Sequence, residues 1–173
     1  MNRNVLPALS TSLLAPLGAQ HAVDAPRSVL TDKPNLVMIV TDEHTIPAVA
    51  HGKPTGSTAQ ILALKSFSGG MQLHCVRDFT NAQELEYTLE APQAGKYTLT
   101  ARVVTVQPDQ KLLLAANDAK QAVEIAVPYT VGRWEQTKPV AVTLVKGRNV
   151  LHFTRQAPSR GLTIKEFTLT PLK

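Results

Sequence analysis

The chain has few cysteines, few aromatic residues and no long apolar run. Its single cysteine, Cys75, excludes an internal disulfide and a metal cluster held by several cysteines. Aromatic residues make up 5% of the 173 residues, and lysine and arginine are scattered rather than clustered. A nucleic-acid-binding protein is therefore not expected, although the formal net charge is +5. The apolar stretches are also too short and interrupted to predict a membrane span.

The composition that remains is that of a folded globular domain. Apolar residues make up 43% of the chain, and 173 residues are enough for one domain with a substantial core. The sequence pI is about 9.5. A mildly basic surface fits both plain solubility and attraction to an anionic polysaccharide.

Alternation of apolar and polar residues is the main structural signal. Leu85, Tyr87 and Leu89 alternate with polar neighbours, and residues 97–106, 123–127 and 140–144 repeat the pattern. We find no ten-residue helical pattern between these segments. Short strands at close spacing predict an all-β, antiparallel β-sandwich rather than alternating strands and helices. We place this sandwich at residues 60–173.

Two local features predict how these strands connect and bend. Residues 146–149 (Lys-Gly-Arg-Asn) are typical of a hairpin turn, which leads into an apolar strand containing Leu151 and Phe153. In the last strand, the apolar residues Leu162 and Ile164 occupy even positions, whereas Phe167 and Leu169 occupy odd positions. A regular strand would place these two pairs on opposite faces. A β-bulge between Lys165 and Phe167 restores one buried face, and a strand buried on both sides is the alternative.

The N-terminus has the pattern of an export signal. Arg3 supplies a positive charge, residues 5–17 are apolar and small, and Gly18, Ala19 and Ala22 offer cleavage sites. We therefore predict a signal peptide at residues 1–22 and a periplasmic or extracellular protein; a disordered tail is the alternative. Residues 23–59 are interpreted as a linker that contains one strand, at residues 33–45.

That strand has an unusual end. An unbroken apolar run at residues 36–41 precedes Asp42 and Glu43, which is typical of a buried parallel strand with hard oxygen ligands at its carboxyl end. KPNLVMIVTDEH (residues 33–44) resembles the first strand of the sulfatase family, within the alkaline-phosphatase-like fold. The resemblance implies that Asp42 is a calcium ligand. Glu43 stands where that family commonly has a second aspartate.

The nucleophile of that family is missing. Sulfatases carry a Cys- or Ser-x-Pro-x-Arg motif, whose first residue becomes formylglycine. Residues 156–160 (QAPSR) have Gln at that position, and Cys75 is not followed by proline two residues later. We therefore predict no catalytic residue and no activity for this chain. Its strand at 36–41 adds to a sandwich edge, is disordered or aggregation-prone, or is a remnant of an enzyme that lost an internal segment.

The later strands resemble another family. AGKYTLTARVV (94–104), VGRWEQT (131–137), VTLVKGRNVLHF (142–153) and LTIKEFTLTPL (162–172) together resemble jelly-roll carbohydrate-binding modules of the galactose-binding-like superfamily. Such modules also occur at the C-terminus of some secreted bacterial sulfatases. The resemblance implies a noncatalytic module that binds glycan or serves as a structural appendage, with calcium as a cofactor in many members. The alternative is a calcium- and formylglycine-dependent sulfuric-ester hydrolase represented by an incomplete chain.

Four residues have side chains suited to a sugar ligand. Trp134 and Tyr129 offer rings for stacking on the apolar face of a sugar, and Arg133 and Arg155 offer guanidinium groups for sulfate or carboxylate. A core or rim anchor beneath a loop is the alternative role of Trp134. The predicted partner is a polysaccharide, with sulfated or acidic chains as the finer expectation.

Overall fold

The computed structural model describes residues 43–52 and 61–172. The predicted export signal, the apolar run at 36–41 and Asp42 lie outside these residues. No helix within the described ranges is long and apolar enough to cross a membrane.

The described residues form two antiparallel sheets. Sheet I has seven strands, in which β11 and β5 are central, β3, β2 and β1 lie on the β11 side, and β8 and β9 pair with β5. Sheet II has the order β4-β10-β6-β7. The strands are β1 (His44–Pro47), β2 (Ile61–Lys65), β3 (Met71–Cys75), β4 (Gln83–Ala91), β5 (Gly95–Thr105), β6 (Gln110–Ala116), β7 (Val123–Val127), β8 (Glu135–Gln136), β9 (Val140–Leu144), β10 (Gly147–Arg155) and β11 (Leu162–Pro171). The predicted all-β, antiparallel jelly-roll sandwich is confirmed.

The core lies between the two sheets and follows the alternation read from the sequence. Along β4, Leu85, Tyr87 and Leu89 are buried, whereas their neighbours face outward. Tyr87 meets Phe153 of β10 and Phe167 of β11 edge-on, with ring centroids 5.6 and 5.3 Å apart, and the two phenylalanines stack at 4.2 Å. Aromatic side chains from both sheets therefore join in the centre of the core, where such contacts add to the stabilisation from buried area.

The hairpin predicted at residues 146–149 is wrong. β9 pairs with β5 in sheet I, whereas β10 pairs with β4 and β6 in sheet II, so this turn carries the chain from one sheet to the other. Asn149 holds the turn: its Oδ1 accepts a bond from the Val145 amide at 2.9 Å, and its Nδ2 donates to the carbonyls of Val145 and Gly147 at 2.8 Å. Gly147 has a φ of 88°, which a residue with a side chain rarely adopts.

The predicted bulge in the last strand is confirmed. Ile164 pairs with Val103 and Glu166 pairs with Arg102, so Lys165 is the extra residue opposite β5. This shift restores burial of Phe167 and Leu169 on the core face.

β6 is a strand that the alternation did not predict. Its sequence, QKLLLAA, contains an unbroken apolar run, yet only Leu112 and Leu114 are fully buried, and Leu113 is half-buried. β6 lies between β10 and β7 in sheet II, so its outward face is part of that sheet's surface.

The sandwich also includes residues that the sequence assigned to a linker. β1 pairs with β11, and Ile46 and Ala48 are buried in the core. The carbonyl of Ala48 accepts a hydrogen bond of 2.7 Å from the Tyr87 hydroxyl. The prolines and glycines of residues 46–58 favoured a linker over a strand, although Ile46 and Ala48 fix this segment to the sheet.

Candidate functional site

Four loops meet at one end of the sandwich. In sheet I, Leu162 pairs with both Thr105 and Cys75, so β3, β5 and β11 end or begin together. In sheet II, Gln110 pairs with Val127 and Arg155 with Gln83. The connecting loops are therefore neighbours, and we call them the loop end: residues 76–82, 106–109, 128–134 and 156–161.

The loop at 128–134 is fixed to β5 by a buried threonine. The Thr130 hydroxyl donates to the Thr105 carbonyl and accepts from the Thr105 amide, both at 2.9 Å. Val131 and Gly132 then take left-handed backbone angles, with φ of 51° and 84°. Such a φ is strained for a β-branched residue like Val131, so the surrounding contacts hold this loop in a defined shape.

Tyr129 of this loop lines an open cleft of about 480 Å³. The cleft runs between the start of β6 and the end of β7. Tyr129 is 54% exposed. The other lining residues are Pro108, Asp109, Gln110, Lys111, Glu124, Ala126 and Val127.

The cleft combines one exposed ring, small apolar side chains and several polar groups. Lys111 and Glu124 form an ion pair of 3.0 Å between its walls, with both side chains more than half exposed. The size of the cleft suits a small ligand or part of a polymer, and its polar groups can pair with hydroxyls. The sequence had pointed to Tyr129 but not to Gln110 or Lys111, because β6 was not predicted. Glu124 lies on the predicted strand at 123–127 but was not singled out as a contact.

A second cavity of about 210 Å³ adjoins this cleft. Both cavities are lined by residues 109–111, and the second extends to Leu113, Arg155 and the loop at 156–159. The two cavities thus form one groove that passes over the start of β6.

Arg155, a predicted ligand contact, is buried at the base of the loop end. Its guanidinium group donates to Oε1 of Gln83 at 2.6 Å, to Oε1 of Gln110 at 2.8 Å and to the carbonyl of Arg160. Only 2% of the residue is exposed. The guanidinium is therefore engaged inside the protein and ties three segments of the loop end together.

Two titratable groups lie near Arg155, the buried Cys75 and the half-buried His74. Burial raises the pKa of the Cys75 thiol, although the nearby guanidinium of Arg155 opposes the change. Burial and, to a smaller extent, the same guanidinium lower the pKa of His74, whose Nδ1 lies 2.9 Å from the Thr163 hydroxyl. Burial also lowers the pKa of Arg155 itself. Cys75 is thus a protonated core residue, with none of the properties of a reactive thiol.

Trp134 lies on the outer face of sheet I, away from the Tyr129 cleft. The guanidinium carbon of Arg102 lies 5.9 Å from its ring centroid and Nζ of Lys165 lies 5.8 Å from it. The ring is half-buried beneath these cations, which fits the rim-anchor role. Arg133 beside it is exposed, but it lines neither cavity described above. Of the four predicted contacts, Tyr129 and Arg155 therefore line the two adjoining cavities, whereas Trp134 and Arg133 line neither.

A further aromatic residue of the loop end was not predicted as a contact. Phe79 is 53% exposed, and the guanidinium carbons of Arg77 and Arg160 lie 6.0 and 5.2 Å from its ring centroid. We call these three residues the Phe79 platform. The available sequence signal was Phe79 itself, an aromatic residue outside any strand pattern, with Arg77 two positions earlier.

Of the two residues expected to bind calcium, only Glu43 lies in the described part of the chain. Glu43 is exposed at a bend before β1, and Asp42 lies outside the described residues. Burial lowers the pKa of the neighbouring His44. Within residues 43–52 and 61–172, no group of three or more His, Cys, Asp or Glu side chains is placed to hold a metal ion.

The fold and the loop groove define a β-sandwich of the kind found in carbohydrate-binding modules. No protein-family model matches the chain, and no curated protein sequence matches it. Solved structures do match. Those described next are 15–20% identical to this chain, and similarity at that level establishes the fold alone.

Three structures illustrate the likeness. The C-terminal CBM6 of LamC, a marine laminarinase from Zobellia galactanivorans, is 16% identical with a TM-score of 0.59, over 75% of this chain and 99% of that one. A family 35 carbohydrate-binding module from Clostridium thermocellum is 15% identical with a TM-score of 0.60, over 76% and 100%. The module CBM6cm-2 from Cellvibrio mixtus lichenase 5A, solved in complex with cellotriose, is 20% identical with a TM-score of 0.58, over 75% and 98%.

Proposed function

We propose that this protein is a noncatalytic glycan-binding module whose sugar site is the cleft beside Tyr129. The observation that carries the proposal is an aromatic ring, 54% exposed, lining a cleft of about 480 Å³ among polar side chains. The structural neighbours are carbohydrate-binding modules, which supports a glycan as the class of ligand.

The chemistry of the cleft matches what a sugar requires. A sugar ring has an apolar C–H face that packs on an aromatic ring, and hydroxyls at its rim that need donors and acceptors. Tyr129 supplies the ring. Gln110 supplies its side-chain Nε2 as a donor, since its Oε1 accepts from Arg155. Lys111 donates and Glu124 accepts, and their exposed ion pair leaves further donor and acceptor capacity on both groups. The open shape of the cleft leaves room for a polymer to continue past it on either side.

Affinity electrophoresis tests the proposal directly. The purified chain is run through gels that contain laminarin, hydroxyethylcellulose, galactomannan or dextran. We expect retardation by at least one of these polysaccharides, and we expect Tyr129→Ala to weaken that binding about two- to tenfold, since an aromatic contact contributes about 0.5–1.5 kcal/mol.

Two controls locate the effect. Phe67→Ala removes an aromatic ring that is fully exposed at the β2–β3 turn and should leave binding unchanged. Trp134→Ala tests the other exposed face. Retardation that Trp134→Ala abolishes and Tyr129→Ala leaves intact would refute the cleft as the site. If no neutral polysaccharide and no anionic one retards the chain, glycan binding is refuted.

An acidic or sulfated polysaccharide is the finer proposal for the partner, supported by the net charge of +5. Export to the periplasm or beyond is likewise a proposal, and recovery of the chain from the cytoplasm with Met1 intact would contradict it.

A sulfatase-family hydrolase represented by an incomplete chain is the alternative. It rests on residues 33–42, which lie outside the described part, and on Glu43, which is exposed at a bend before β1. Release of sulfate from an aryl sulfate by the purified chain would revive it. We expect none, because catalysis needs a nucleophile and a metal in one preorganised site.

A further inference from the structure

The Phe79 platform presents an exposed aromatic ring between two cations. Arg77 and Arg160 are both exposed, and each lies within cation–π distance of the Phe79 ring. Neither side chain makes an ion pair or a hydrogen bond with another described residue. Two guanidinium groups therefore remain available to an external anion, next to an apolar surface.

The only acidic residue of these two loops is already engaged. Asp78 lies between Arg77 and Phe79, but its Oδ1 accepts bonds from the amides of Thr80 and Asn81 at 2.9 and 2.8 Å. These amides, with the side chains of the same residues, lower the pKa of Asp78 to about 2. The carboxylate thus shapes its own turn and leaves the two arginines with an excess of positive charge.

Hydrogen bonds beneath the platform hold its two loops, residues 76–82 and 156–161, in a fixed position relative to each other. Asp78 and Ser159 exchange backbone hydrogen bonds of 3.1 and 2.6 Å across the loops. Buried Arg155 donates to the carbonyl of Arg160 on one side and to Gln83 on the other, and Gln83 in turn donates to the Val76 carbonyl. The platform is therefore preorganised, which lowers the entropic cost of binding.

We propose that the Phe79 platform binds the anionic group of an acidic glycan, a sulfate ester or a uronate carboxylate. The guanidinium groups of Arg77 and Arg160 donate charge-assisted hydrogen bonds to the anion, and the exposed part of the Phe79 ring contacts the sugar. This inference rests on the proposed glycan-binding function and adds the substrate class and a second site at the same end of the sandwich.

Three dextrans with one backbone provide the test: neutral dextran, carboxymethyl dextran and dextran sulfate. In affinity electrophoresis we expect both anionic forms to retard the chain, and the stronger of the two identifies carboxylate or sulfate as the preferred group. Arg160→Gln and Phe79→Ala should each weaken that retardation about tenfold. Arg160→Lys should also weaken it, because it keeps the charge and loses the planar fork of donors.

The matched control is Arg148→Gln, which removes one positive charge from an exposed position near the start of β10. We expect it to change the affinity less than about twofold. Equal losses in Arg148→Gln and Arg160→Gln would mean bare electrostatics and would overturn the inference, as would full binding by Phe79→Ala. A melting temperature within a few degrees of the wild type shows that each variant is folded.

The two proposals fail in different ways. If a polysaccharide binds but Arg160→Gln behaves like Arg148→Gln, only the platform is wrong. If neither a neutral nor an anionic polysaccharide retards the chain, the proposed glycan-binding function is itself wrong.

Discussion

Arg155 shows how one residue can be assigned the wrong kind of contact from sequence. From the sequence alone, its guanidinium group is a predicted partner for sulfate or carboxylate. In the structure the side chain points to the interior and bonds to Gln83, Gln110 and the Arg160 carbonyl. The partners come from distant parts of the chain, so no local pattern reveals them. Tyr129 differs because its exposure follows from its place in a turn-rich loop.

Asp78 provides a prediction at the scale of one residue. The pKa of its carboxyl group in the folded protein is about 2, below the ordinary value of 3.8, because the backbone amides of Asn81 and Thr80 favour the charged form. The carboxylate therefore stabilises the folded state above about pH 4, and this contribution is lost as the pH falls from 4 towards 2. We expect Asp78→Ala to lose stability at pH 7 and to show a smaller difference from wild type at pH 2.

Chemical denaturation at a series of pH values measures this difference. Asp118→Ala is the control, since Asp118 is an exposed acidic residue of the β6–β7 turn. If the difference in unfolding free energy between Asp78→Ala and wild type is the same at pH 7 and pH 2, the hydrogen-bonded carboxylate does not contribute as described.

At the scale of elements, the strands with a clean alternation of apolar and polar residues were predictable from the sequence. The strands with which they pair were not predictable. β4, β5, β7 and β9 follow the alternation because successive side chains of a strand point to opposite faces. β6 carries too many leucines to show a period of two. The connection between β9 and β10 looked like a hairpin because glycine and asparagine fit either a hairpin or a turn between sheets. Sequence spacing does not distinguish these turns, whereas the partner strands do.

β1 provides the prediction at this scale. Ile46 is 1% exposed and contributes to the core from a strand of only four residues. We expect Ile46→Ala to lower the free energy of unfolding by about 2–5 kcal/mol, the usual cost of removing a large buried aliphatic side chain. Thr45→Ala, an exposed change on the same strand, should cost far less.

Urea denaturation of the two variants measures the difference. A cost below about 0.5 kcal/mol for Ile46→Ala, within the range of surface substitutions, would mean that residues 44–50 are not an integral part of the sandwich.

At the scale of the whole molecule, the fold brings the loop end together from four separate segments. Residues 76–82, 106–109, 128–134 and 156–161 become neighbours because strands of both sheets begin and end at the same level. The jelly-roll class was predictable from strand spacing and family resemblance. The position of the groove was not, since it depends on β6 and on pairings between residues far apart in sequence.

The structure shows the sandwich, but it does not test the resemblance of residues 33–44 to sulfatases. Most of that segment lies outside the described residues, and its assignment stays a prediction. Glu43 lies on the surface of the sandwich. The strand β1 that follows it contributes to the core. The function proposed for the molecule therefore depends on the sandwich alone.

The most direct test of glycan binding at the Tyr129 cleft is an NMR titration of the ¹⁵N-labelled chain. The ligand is an oligosaccharide prepared from the polysaccharide that retards the chain most in affinity electrophoresis. We predict that the largest amide shift changes occur in residues 108–111 and 124–129, with little change on the outer face of sheet I around Trp134. Shift changes concentrated around Trp134, or none at saturating oligosaccharide, would contradict the account.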